Sequence, residues 1–274
     1  MPIFDHQGLE VHWQEDGSPT GEPIVFAHPL GTNLRVWDAV FAACPELSAY
    51  RLIRYDIRGH GKSSTPPPPY TMGSLIGEAE ALIEHLGIID CVFVGAHLGG
   101  QIAQGLAVKR LDQIRALVLV NTAAKIGIKT KWDVQLEALQ KNGMPAAESA
   151  TKGWFSRANQ NSPEAEHWRT VLLQNALDGY IGCCHAMSGT DFFTPVSGLR
   201  LSTLGLSAYN DTLIPPDLMR DTVELIHGAD FQIMPRAAHL SMIEQPVDFG
   251  ERLADFLKKI GHGSCSCDDG CSGH

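Results

Sequence analysis

The chain has 274 residues, 44% apolar and 19% charged, and 31 acidic against 21 basic side chains give a formal net charge of −10. That length buries a sizeable core without disulfides or metals, and acidic charge scattered along the chain argues against nucleic acid as a partner. No apolar run approaches the ~20 residues of a membrane helix, and Met1–Trp13 lacks the basic opening and apolar stretch of a signal peptide, so a cytoplasmic protein with a small-molecule partner is expected.

Two short alternating stretches, Pro2–Phe4 and Leu9–Gln14, predict an N-terminal hairpin around Gln7-Gly8. Ile24–Ala27 predicts a buried strand ending in the loop His28-Pro29-Leu30-Gly31-Thr32, and Leu52–Tyr55 another, followed by the turn-rich run Asp56–Ser64. Met72–Leu86 has helical periodicity, with Leu75, Ala79, Leu82 and Leu86 on one face. Cys91–Val94 is a strand, Gln101–Lys109 a helix, and Ala116–Val120 an almost wholly apolar strand of the kind found inside parallel sheets. From Ala123 to about Pro195 the pattern turns helical, with Trp132, Trp154 and Trp168 and no strand. Leu201–Ala208 and Phe231–Met234 are further strands, and Pro246–Ile260 an amphipathic closing helix. The alternation implies a mostly parallel, doubly wound sheet, whose ligands bind beyond the C-terminal strand ends. Residues 1–122 and 196–261 would form this core, 123–195 a helical cap, and 262–274 a flexible Gly/Ser/Cys-rich tail. In that tail Cys265, Cys267 and Cys271, with His262 and His274, match no standard zinc spacing. Cys44, Cys91, Cys183 and Cys184 sit in apolar or mixed contexts and read as buried, reduced thiols.

The chemistry concentrates at Gly95-Ala96-His97-Leu98-Gly99-Gly100, directly after a strand and before a helix. A Gly-x-x-x-Gly turn in that context is the nucleophile elbow of α/β hydrolases, where the middle residue is normally serine; here it is His97. The triad order of that fold then points to Asp211, after a strand, and His239, after the last one. Taken alone, Asp211 could equally cap the helix after Pro215, and His239 could be a lone loop histidine. Together they suit an acid that fixes the tautomer of a proton-shuttling imidazole. The oxyanion hole would use the amides of Leu98 and Leu30, because Pro29 has no N–H. His28, Trp154, Phe155 and His185 are candidate pocket residues, and Lys125, Arg35 and Arg157 candidate cations for a carboxylate. Asp56 and Arg58 read as loop braces, and Gly59 and Gly61 lack the following Lys-Ser pair of a phosphate cradle.

Longer runs are more specific. Arg54-Tyr55-Asp56 with Arg58-Gly59-His60-Gly61, Pro69-Tyr70-Thr71, Asn121-Thr122-Ala123-Ala124-Lys125-Ile126-Gly127, Gly179-Tyr180 with Gly182-Cys183-Cys184, and Ala238-His239-Leu240-Ser241 with Glu244-Gln245-Pro246 together resemble the 3-oxoadipate enol-lactonases, almost end to end. The resemblance implies a cofactor-free serine hydrolase that opens an enol-lactone in aromatic-compound breakdown. The chain departs from it at the elbow, where the family resembles Gly-Leu-Ser-Met-Gly-Gly. It departs again at His28-Pro29 in the first loop, and at His185 after the Gly-Cys-Cys run.

An imidazole nitrogen projects further from the backbone than a serine oxygen, and a ~1 Å misplacement already costs about 100-fold. Acyl-serine chemistry is therefore lost. His97 could act as a nucleophile, or activate water together with His239. With His239 it could bind a divalent zinc, manganese, iron or nickel ion, Asp211 serving as ligand or orienting partner. Such a metal would support hydrolysis, or decarboxylation or carbon–carbon cleavage of a 3-oxo acid. A site without chemistry, either an inactivated variant or one that binds small molecules, is the remaining reading. The expectation taken forward is metal-free hydrolysis of a small lactone or activated ester through His97, His239 and Asp211.

Overall fold

Apolar runs set the sheet. In a computed structural model that describes residues 2–263, eight strands form: β1 (Ile3–His6), β2 (Leu9–Gly17), β3 (Pro23–Ala27), β4 (Arg51–Tyr55), β5 (Cys91–Ala96), β6 (Ile114–Val120), β7 (Ser202–Ala208) and β8 (Asp230–Met234). They lie in the order β1-β2-β4-β3-β5-β6-β7-β8. The first two are the expected hairpin, and β2 runs antiparallel to β4; every pair from β4–β3 to β7–β8 is parallel. Every residue of β5 is buried, and so is every residue of β6 except Arg115, as a sheet covered on both faces requires.

The helices are α1 (Asp38–Ala43), α2 (Met72–His85), α3 (Leu98–Lys109), α4 (Lys129–Asn142), α5 (Pro163–Leu173), α6 (Leu177–Ser188), α7 (Phe193–Ser197), α8 (Pro216–Val223), α9 (Ser241–Glu244) and α10 (Pro246–Lys259). The chain moves one way across the sheet from β3 to β4 and the other way from β4 to β5 and β6. Right-handed crossovers therefore put α1 on one face and α2 and α3 on the other. Accordingly α1 packs with α10, and α2 with α3. Between β6 and β7 the chain forms only helices, α4 to α7 and a 3-10 stretch over Met144–Gly153. No helix of the described residues is long and apolar enough to cross a membrane.

Two expectations shift. Helix α3 starts at Leu98, three residues before the periodic run at Gln101, because Gly99 and Gly100 are needed where the helix enters the sheet. A Cβ on Gly99 would lie 2.2 Å from the Ala27 carbonyl oxygen, and one on Gly100 2.5 Å from the Thr122 side chain. Helix propensity would discourage both glycines, but close approach overrides it. Gly99→Ala should therefore destabilise the protein by about 1–3 kcal/mol, read as a lowered urea midpoint at unchanged slope. His262, expected in the flexible tail, is instead fully buried. Its Nε2–H donates to the Pro23 carbonyl at 3.1 Å, and its ring lies parallel to Tyr50 at 5.9 Å. Burial of the imidazole face holds it to the core. The tail's Cys265, Cys267, Cys271 and His274 lie outside the described residues.

Candidate active site

The register aligns Ala27 with Gly95, Ala96 with Val120, Val120 with Leu206, and Ala208 with Met234. The ends of β3, β5, β6, β7 and β8 thus share one edge, and the loops leaving that edge carry His28, His97, Asn121, Asp211 and His239. His97 sits at φ 49°, ψ −108°, a region L-residues rarely adopt. Its backbone is held there. Its N–H donates to the Val120 carbonyl at 3.0 Å, and its own carbonyl accepts from Thr122 Oγ1 at 2.7 Å and from the Gly100 amide at 3.1 Å.

Asp211 uses each carboxylate oxygen for a different purpose. Oδ1 accepts from the Leu213 and Ile214 amides at 2.8 and 2.9 Å, and Oδ2 accepts from His239 Nδ1–H at 2.8 Å. One oxygen thus caps two amides, which precede α8 rather than open it, and the other meets His239. His239 is 1% exposed, and its ring meets His97 edge to face, with centroids 4.7 Å apart and planes at 83°. The three residues read from the sequence are thus brought together.

His97, and not His239, lines the adjoining cavity of about 320 Å³. Its Nδ1 is buried without a hydrogen-bond partner, leaving Nε2 as the nitrogen that opens on the cavity. Burial, and then the neighbouring His239, hold the His97 imidazole well below its ordinary pKa, so it is neutral near pH 7. Leu30 and Trp154 line the cavity as expected. Leu98 opens α3, and the first amides of a helix have no intrahelical acceptor. Around Leu30 the hydrogen bonds engage residues 28, 29, 31 and 32 and pass over residue 30, whose amide has no partner among the described residues.

Several expected pocket residues lie elsewhere. His28 is fully buried as a loop brace: its Nδ1–H donates to the Pro29 carbonyl at 2.8 Å, and Nε2 accepts from the Ile57 amide at 3.0 Å. With both nitrogens engaged it cannot face a ligand. His185 lies partly exposed on α6 and is not part of the cavity wall. Lys125 turns outward to Asp191 (3.0 Å), and Arg35 to Asp38 (2.9 Å). Arg157 and Phe155 line a different groove. Asp56 does brace loops, accepting from the Leu34 and Lys62 amides and from His12 Nδ1–H, and Arg58 pairs with Glu78.

Other residues at or around this cavity carried weak sequence signals. Lys131 and Gln135, four apart on α4, face the cavity beside Trp132, Tyr180 and Thr212. Their i, i+4 spacing on a cap helix was the available clue. His60 Nε2 accepts the Gly31 amide at 3.0 Å and so fixes the loop that presents Leu30. Burial, with His28 close by, pushes its pKa down to about 3. Asn121, at φ 42°, ties three strand ends. Its Nδ2 donates to the His239 carbonyl (2.8 Å) and to Ser241 Oγ (3.1 Å), while Oδ1 accepts the Ala208 amide (2.8 Å).

Residues 22–246 match the α/β-hydrolase fold family. The chain belongs to that family. This α/β hydrolase is 29% identical over 269 residues to a 3-oxoadipate enol-lactonase of Acinetobacter baylyi, covering 95% of this chain and 100% of the relative. Its fold superposes on the enol-lactonase of Burkholderia xenovorans with a TM-score of 0.89 at 31% identity, over 94% of this chain and 100% of the other. A non-heme chloroperoxidase of Kitasatospora aureofaciens is 25% identical over 281 residues, covering 94% and 100% of the two chains. The resemblance read from the Asn-Thr-Ala-Ala and Gly-Cys-Cys runs is thereby established.

Among the described residues no three His, Cys, Asp or Glu side chains are grouped to hold a metal ion. Both oxygens of Asp211 are already engaged, by His239 and by two amides. In this arrangement the carboxylate orients His239.

Proposed function

We propose that this α/β hydrolase opens a small, carboxylate-bearing lactone or activated ester by attack of water activated by His97, without an acyl-enzyme and without a metal. One observation carries the reading: a neutral imidazole lines the cavity at the elbow and is backed edge to face by a histidine that Asp211 holds in one tautomer. The enol-lactonase relatives support the substrate class.

An imidazole nitrogen projects further from the backbone than the serine oxygen for which such an amide pair is placed, so a mobile water is the nucleophile that Nε2 can serve. Nε2 takes one proton from water as the oxygen bonds to the carbonyl carbon. The negative charge on the carbonyl oxygen is held by the two amides. The ring C–O bond then breaks, and the proton on Nε2 passes to the departing enolate oxygen, regenerating neutral His97. The Asp211 carboxylate accepts from His239 Nδ1–H and so fixes the ring that backs His97 edge to face.

Lys131 is the cation at this cavity, and among the described residues it makes no ion pair. Lys131→Met should raise KM about 10–100-fold for a carboxylate-bearing lactone, with kcat and the KM for a neutral aryl acetate unchanged. The function itself is tested by assaying 3-oxoadipate enol-lactone and small aryl acetates with and without a chelator. Turnover indifferent to the chelator is expected. Turnover that needs an added metal ion would overturn the mechanism, and binding without any product would favour a ligand-binding role.

A further inference from the structure

A second concavity, of about 830 Å³, lies on the other side of the Asp211 loop and meets the His97 cavity at Thr212. Its walls are the cap segment 152–160, the loop 209–212 that follows β7, and Arg236 in the turn after β8. Its charge is one-sided. All Lys and Arg residues of this acidic chain fall among the described residues, and most pair with carboxylates. Among the described residues Lys152, Arg157 and Arg236 make no ion pair; all three are exposed, and all line this groove.

The nearby acids do not neutralise them. Asp211 is buried and engaged by His239 and two amides. Glu244 accepts from the Ser156 amide and hydroxyl, from Asn159 Nδ2 and from the Ala238 amide. A backbone observation adds to the charge: Arg236 sits at φ 59°. An exposed turn at that φ suits glycine, and a non-glycine residue there is strained. A long cationic side chain held at such a point is positioned toward the groove at a conformational cost.

We propose that this groove binds a small polyanion, an organic di- or tricarboxylate or a phosphate ester, on Arg157, Arg236 and Lys152. Arginine forks suit carboxylate and phosphate oxygens bidentately. The ligand would rest against both segments that hold His239 in place, since Gly153 and Trp154 accept the His239 and Leu240 amides. The anion is either a free ligand or the tail of a longer substrate reaching past Thr212.

Calorimetric titration of the full chain with citrate and with inorganic pyrophosphate, at low salt, tests this. One saturable site is expected, weakened about tenfold by Arg157→Gln and by Arg236→Gln individually, and weakened by added salt. Lys141→Gln, which removes an exposed lysine outside this groove, should leave it unchanged. No saturable binding of either probe, or equal affinity in the Arg157→Gln/Arg236→Gln double variant, would overturn the proposal. Hydrolysis then separates the sources: citrate that raises KM for an anionic lactone but not for a neutral ester marks a substrate tail, and unchanged KM values mark a separate ligand. The titration reads binding alone, so it stands whether or not the hydrolytic reading holds.

Discussion

His97→Ala should lower kcat/KM for lactone hydrolysis by about 10²–10⁴-fold, the range spanned by a positioned general base. The loss should fall on kcat, because the amides of Leu30 and Leu98 and the cation of Lys131 remain. Stability should change little. The substitution leaves φ at 49°, a strain alanine shares with histidine. It also removes a buried Nδ1 that has no partner, which is worth about 1–3 kcal/mol and offsets the packing that the ring supplies. A collapse of the thermal midpoint would mean the ring is a packing element, and activity loss could not then be assigned to its nitrogen. His97→Ser supplies the complementary result. A hydroxyl beside the Asp211–His239 pair rebuilds a serine triad, so this variant should become sensitive to a sulfonyl fluoride that leaves the native protein untouched. If the native protein is inert toward every lactone and only His97→Ser turns over, base-activated water is the wrong mechanism.

Acidification should begin to destabilise the protein below about pH 6.5, before most carboxylates titrate. His28, His60, His97 and His262 all have folded pKa values lowered chiefly by burial, His60 to about 3. In the unfolded chain each titrates near 6.5. Between 6.5 and the folded values the unfolded state therefore binds more protons, and stability rises with pH through that window. Read downward, stability is full above pH 6.5 and is lost as pH falls below it. Each fully differential histidine contributes about 1.4 kcal/mol per pH unit, and three of the four are wholly buried. Against a typical total of about 5–15 kcal/mol, the acid midpoint should fall near pH 4–5. Asp56, lowered by His12 and His28 and by backbone donors against the opposing effect of burial, acts the other way round in pKa. Its stabilisation is present above about 3.8 and fades only below that, so it does not produce the earlier loss. Urea midpoints across pH 7 to 4.5 measure this. A flat profile from 6.5 to 5 would contradict it, and His97→Ala should reduce the slope by the share of one proton. Catalysis should keep its acid limb below pH 6.5 for the same reason, since His97 stays neutral there.

Some of the site was legible because it is local. A strand, a glycine-flanked turn and a helix follow one another within Cys91–Lys109, and nothing distant is needed to place His97 at the bend. Asp211 and His239 were legible through their order and their positions after strands. Lys131 was not: its neighbour in function is Leu30, a hundred residues earlier, and only the cap's placement brings the two to one cavity. Lys125 was misassigned because the nearby acid Asp191 turns it outward, and that acid lies 66 residues further along the chain.

By itself the sequence determined the doubly wound architecture, the hydrolase family and the identity of the residue at the elbow, because hydrophobic periodicity and turn chemistry are written in adjacent residues. Tertiary structure alone decided which histidines meet a ligand. His28 and His97 both follow sheet strands, yet the first has each nitrogen locked by backbone, from Pro29 and from Ile57 29 residues away, and the second opens on the cavity and screens His239 from it. The direction of a side chain and the partners of its nitrogens depend on what the fold packs beside them, and that is set by contacts between segments far apart in the chain.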